Sequence, residues 1–146
     1  MSIEQYVGFW TLDTKRSDDY ADVLSAQSIS WLVKKVILNM TITYDITVST
    51  NESGVQVLHA INPKGTKQDL IVDGAAHADD DATFGAIEHT ATVDANGNFH
   101  LVTVSEKYKW KNTGTWVIEG NTMVRTMVFE SPKLNKTFKM TFVKKE

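Results

Sequence analysis

From residue 40 onward the chain alternates. In "MTITYDITVST", Met40, Ile42, Tyr44, Ile46 and Val48 fall on one parity and Thr41, Thr43, Asp45, Thr47 and Ser49 on the other, the two-residue period of a strand with unlike faces. The stretches "GVQVLHAI", "KQDLIVDG", "TFGAIEHTATVD", "NFHLVTVS", "KWKNTGTWVIEG", "TMVRTMVFES" and "KTFKMTFVKK" continue in the same way. Between them stand the turn signals "NESG", "NPKG", "DANGN", "SEK", "EGN" and "SPKLN". Strand units of roughly 8 to 12 residues divided by such signals predict an all-β antiparallel meander, closed as a barrel or folded as a sandwich.

Helical spacing is confined to the segment between the first strand, which carries Gly8, Phe9 and Trp10, and the second. Ser17 is placed to cap a first helix with Asp18 and Asp19 at its positive end, and Tyr20, Val23, Leu24 and Gln27 follow at near-helical spacing. Ser28 is placed to cap a second, with Ile29, Trp31, Leu32, Lys35 and Val36, and the signal stops near Lys35. Helices of about two turns do not persist alone, so both must lie on the strands.

Many strands pair apolar positions with Thr, Ser, Gln, Asn or His rather than Lys and Glu. This suggests that uncharged polar side chains line a wet interior. The remaining totals mostly exclude. At 146 residues with 42% hydrophobic content, the chain is expected to form one domain over 1-146. A net charge of -3 argues against nucleic acid as a partner. There is no cysteine, hence no disulfide framework. No apolar run is long enough for a membrane helix. Met1 to Tyr6 carries an acid and lacks a signal pattern, so a cytoplasmic location is expected. His59, His77, His89 and His100 show no zinc spacing, and the "HADDD" run at 77 to 81 reads as a solvated turn. No metal or cofactor is predicted. Serine, histidine and aspartate occur throughout, but without a nucleophile elbow, so catalysis has no positive support.

Taken together, Gly8-Phe9-Trp10, the "DDY" of Asp18 to Tyr20, the helix pair and the long meander resemble the intracellular lipid-binding proteins, the fatty-acid-binding and cellular retinoid-binding family of the calycin superfamily. The resemblance spans essentially the whole chain. "GVQVLHAINPKGTKQDLIVDG" looks like that family's third and fourth strands, and "WVIEGNTMV" like its late hairpin. It implies a ten-stranded up-and-down barrel flattened into a clam, with a helix-turn-helix lid between the first two strands. It also implies a monomeric, non-enzymatic carrier of a fatty acid, retinoid or other neutral lipid, exchanged through the helical portal. Trp10 would seal the barrel floor.

The family's anion clamp does not carry over. Its Arg-x-Tyr pair in the last strand matches Met140 and Phe142, and counting back from the "EGN" turn puts Thr115 where another internal arginine is usual. Burying a carboxylate without a partner costs several kcal/mol, so an uncharged cavity favours a neutral ligand. Arg125 is the candidate substitute. If the face it shares with Met123, Met127 and Phe129 points inward, its fork of donors can hold a carboxylate; counting from the "EGN" turn points it outward. Phe138, Met140 and Phe142 are expected on the cavity wall, with Tyr20, Leu24, Trp31, Leu32 and Val36 on the lid. Trp31, Leu32, Val36, Lys34 and Lys35 also make the second helix a candidate for transient membrane contact. Two further readings are an enzyme or pigment-binding protein on the same barrel, and a ligand-free interaction module.

Overall fold

The computed structural model describes residues 2–146. The alternation seen in the sequence becomes ten strands: β1 (Gly8–Leu12), β2 (Thr43–Thr50), β3 (Gln56–Ile61), β4 (Lys67–Ile71), β5 (Ala76–Asp81), β6 (Gly85–Val93), β7 (Phe99–Ser105), β8 (Trp110–Glu119), β9 (Thr122–Glu130) and β10 (Asn135–Lys144). Each pairs antiparallel with its sequence neighbour, except that β1 closes onto β10 and β4 has no ladder to β5. Closure is registered by Trp10 opposite Lys144 and Leu12 opposite Phe142. The result is a nearly closed barrel with one seam, between β4 and β5.

Three hairpins share one local device. The side-chain oxygens of Asn51, Asn62 and Asp94 each accept backbone N–H groups two and four residues on. Gly54, Gly65 and Gly97, three residues on, take φ of 78°, 80° and 81°, a region nearly free of cost only for glycine. The β8–β9 turn has two residues, and Gly120 at its first position has φ 63°, the pattern that matches strand twist.

β5 corrects the reading of "HADDD" as a turn. The acidic run pairs with β6 from Ala76 opposite Thr90 to Asp81 opposite Gly85. Its composition hides it because aspartate is depleted in strands. It is also an edge strand, where charges block pairing with other chains.

Two helices, α1 (Ala21–Ala26) and α2 (Trp31–Asn39), join β1 to β2. Their caps differ from expectation. Asp19 Oδ1 accepts the Ala21 N–H at 2.9 Å. Ser17 instead tethers the barrel, its Oγ accepting the Thr141 N–H at 2.9 Å and donating to the Asp13 carbonyl at 2.7 Å. Ser30 rather than Ser28 caps α2, because Ser28 takes the left-handed bend between the helices with φ 66°. α2 also runs past Lys35 to Asn39. No helix among the described residues is long and apolar enough to cross a membrane.

Two apolar clusters fill the ends. At the floor, Tyr6 and Trp10 pack with Phe99, Trp116 and Phe142. Trp10 is fixed there by its Nε1–H donating to the Tyr6 carbonyl at 2.9 Å, within a short 3-10 turn (Glu4–Tyr6) that the sequence pattern did not announce. At the other end, Val23 and Ala26 of α1 meet Trp110, Phe129 and Phe138.

Candidate ligand-binding cavity

The parity of β9 decides the site. Arg125 falls on the face of Met123 and Phe129, both fully buried, and is itself only 6% exposed. It therefore points inward. In the ladders it lies directly opposite Trp116 on β8 and Met140 on β10. The guanidinium carbon stands 3.7 Å from the centre of the Trp116 ring and 4.7 Å from those of Tyr44 and Phe142. Three aromatic faces therefore supply the attraction that a carboxylate would ordinarily give. Among the described residues no carboxylate lies within 4 Å of this guanidinium.

Beside it lies a cavity of about 170 Å³, whose polar lining comprises Tyr44, Gln68, Asp81, His89, Thr103 and Asn112 as well as Arg125. Several of its buried polar atoms have no hydrogen-bond partner: Nε and Nη2 of Arg125, Nε1 of Trp110 and Trp116, and Oδ1 of Asn112. Four of the five are donors, a set suited to an acceptor-rich, anionic group. Gly114 opens room for it, since a Cβ there would stand 2.9 Å from Met127 Sδ and 3.3 Å from Trp116 Nε1.

Burial pulls the Arg125 pKa down to about 10, with the Tyr44 and Tyr6 hydroxyls opposing. The side chain thus remains a cation at neutral pH. His89 is shifted in the same sense, burial holding it below the ordinary histidine value while Asp79 and Asp81 oppose. Its Nε2 lies 2.9 Å from Gln68 Nε2 and its Nδ1 3.1 Å from Thr103 Oγ1. The first contact needs Nε2 to accept, which describes a neutral ring with its proton on Nδ1.

Of the expected site residues, Arg125 takes the inward of its two placements. Thr115 does not reach the interior. It faces out, with its Oγ1 3.2 Å from His100 Nδ1, and Trp116 takes the inward place. One offset explains both, because shifting the register by a single residue turns every side chain to the other face. Phe138 and Phe142 are buried and Met140 half-buried, but they pack in the apolar clusters and none of the three lines the cavity. Tyr20 packs against both end clusters and Leu24 is on the buried face of α1, but neither lines the cavity. Trp31, Leu32 and Val36 do not line the cavity. They are 69%, 66% and 50% exposed, because α2 buries none of its residues. Trp116, Asn112, Gln68 and His89 were missed. The one available signal was that Trp110, Asn112, Gly114 and Trp116 share a parity, which only the β8–β9 register could orient.

No family model matches the chain, and no curated protein matches it in sequence. Solved structures do match it over nearly full length. The Schistosoma mansoni fatty acid binding protein in complex with arachidonic acid aligns with TM-score 0.77 at 14% identity, covering 100% of both chains. The Echinococcus granulosus fatty-acid-binding protein 1 gives 0.76 at 14% identity over 98% of this chain and 99% of that one. The apo Caenorhabditis elegans lipid binding protein 8 gives 0.73 at 16% identity, covering 99% of each. The chain therefore has the fold of the fatty-acid-binding proteins and their lipid-binding relatives.

Proposed function

We propose that this chain is a single-domain, monomeric carrier acting in the cytoplasm, and that its ligand is an amphipathic carboxylate such as a fatty acid. The observation carrying this reading is Arg125, a buried cation with two unpartnered nitrogens beside a cavity. A neutral lipid would leave that charge unanswered, whereas a carboxylate accepts from both nitrogens. The solved structures of the same fold support the reading, since two of them are named for fatty-acid binding.

The size of the cavity bears on how such a ligand sits. About 170 Å³ is close to the roughly 150 Å³ that holds a benzene ring in an engineered cavity. The head group and first carbons fit directly, and a longer chain needs interior side chains to move. Met127, unbranched and on the cavity wall, is the adaptable one. Exchange would take place past α1, which closes one end, with the loosely held α2 opening at low free-energy cost. The exposed Trp31, Leu32 and Val36 beside Lys34 and Lys35 suit transient contact with an anionic membrane.

The test is displacement of a fluorescent fatty-acid probe. Saturable uptake near one-to-one, reversed by unlabelled fatty acid, is the expected result; no saturable uptake across fatty acids of several lengths would overturn the reading.

A further inference from the structure

The outer face of β2, β3 and β4 carries an arrangement the cavity does not use. Ser49 Oγ lies 2.7 Å from His59 Nε2, and His59 Nδ1 lies 2.5 Å from Asp69 Oδ1. His59 and Asp69 are directly opposite in the β3–β4 ladder, and Ser49 sits diagonally across β2–β3, opposite Val57. Asp69 accepting at Nδ1 fixes the proton there and turns the Nε2 lone pair toward the serine hydroxyl. That is the order of nucleophile, base and orienting carboxylate used in acyl transfer. The base is shielded, its side chain 18% exposed, while Ser49 is open to solvent. Asp69 also lines a cleft of about 310 Å³ at the β4–β5 seam, with Lys67, Ile71 and His77, a size within the range of small-molecule sites.

We propose that Ser49 and His59 are the catalytic residues of a second, surface site that cleaves activated carboxylic esters, with Asp69 as positioning residue. Ser49 Oγ bonds to the ester carbonyl carbon while its proton passes to His59 Nε2. Collapse of the tetrahedral adduct breaks the bond to the leaving oxygen, which departs with that proton as a phenol. Water then attacks the acyl-serine carbon and gives a proton to Nε2, and this proton returns to Ser49 Oγ as the carboxylic acid is released. The β1–β2 ladder ends at Ile46, so Ser49 is paired only with β3; because successive N–H groups of an extended strand point to opposite edges, β2 does not converge two of them beside Ser49 as an oxyanion hole. A missing donor of that kind costs on the order of 10²- to 10³-fold. The substrate class is accordingly limited to esters with good leaving groups, such as aryl esters, and excludes amides.

The chain supplies its own comparison. Thr115, His100 and Asp94 form a similar relay, but the hydroxyl contact is 3.2 Å and the hydroxyl is secondary, so no reaction is expected there.

The experiment combines fluorophosphonate labelling, mapped by peptide mass, with release of nitrophenol from p-nitrophenyl acetate. An adduct at Ser49 but not at Ser53 or Thr115 is expected. H59Q should slow labelling on the order of 10²-fold, the share a general base supplies. D69N should slow it while D69E restores part, since a merely structural role would not follow the carboxylate. S49A should abolish nitrophenol release with its melting temperature unchanged, which keeps the test open should H59Q fail to fold. Labelling of Ser49 no faster than of other exposed serines, or unchanged in H59Q, would overturn the proposal. The site is on the outer face, so either result leaves the cavity reading untouched.

Discussion

Arg125 and Trp116 stand opposite one another in the β8–β9 ladder with the guanidinium carbon 3.7 Å from the indole centre. Held over the indole in this way, the cation leaves Nε and Nη2 without hydrogen-bond partners. Met140, which the resemblance matched to a clamp arginine, lies opposite Arg125 on the other side. The clamp arginine that β10 lacks thus has a counterpart one strand over, in the buried Arg125 of β9, on a cavity whose lining also includes Asp81.

Removing that charge should separate binding from stability. In R125M, fatty-acid affinity should fall about 10- to 100-fold, the equivalent of a hydrogen-bonded charge at about 1.5–3 kcal/mol. Affinity for the matching fatty alcohol should be nearly unchanged. The same variant without ligand should unfold at higher denaturant, because a buried charge with no carboxylate partner is replaced by an apolar side chain. Parallel titrations and urea melts check both.

Gly114 reports on cavity volume. A Cβ there meets Met127 Sδ at 2.9 Å, the end of a flexible side chain that can give way into the cavity. G114A should fold with little loss of stability and bind long-chain acids more weakly than short ones, measurable in a chain-length series.

Acid should loosen the seam between β4 and β5. His89 has its folded pKa depressed below 6.5 chiefly by burial, so the unfolded chain takes up a proton before the folded one does. Stability from this group is complete above the ordinary histidine value and is lost as pH falls from there through the folded value. Once charged, Nε2 can no longer accept from Gln68 and turns toward Asp79, 3.4 Å away. Urea midpoints measured stepwise below neutrality should fall in the wild type, and the slope should be smaller in H89Q.

The exposed face of α2 should bind anionic vesicles. Trp31 fluorescence should shift to the blue on adding vesicles rich in phosphatidylserine, and the shift should weaken with salt and in a K34Q/K35Q double variant. Because α2 buries no residue, melting of the double variant should match the wild type.

Local patterning determined much of this protein. The parity of "MTITYDITVST" put Tyr44, Ile46 and Val48 inside, as found. The Asx-and-glycine turns follow from three-dimensional needs of only a few residues, and the helix pair between β1 and β2 was legible from spacing. Ten strands and their meander order came with the resemblance to the lipid-binding family, while β5 itself was masked by its aspartates. Tertiary structure alone decided the site. Whether Arg125 or its neighbours face inward depends on one residue of register across the β8–β9 turn, and strand periodicity is the same for either choice. Whether a helix buries its apolar side chains depends on what it lies against, so α1 and α2, alike in pattern, end one packed and the other bare. The Ser49, His59 and Asp69 alignment is ten residues apart at each step. Only the pairing of three strands makes them neighbours.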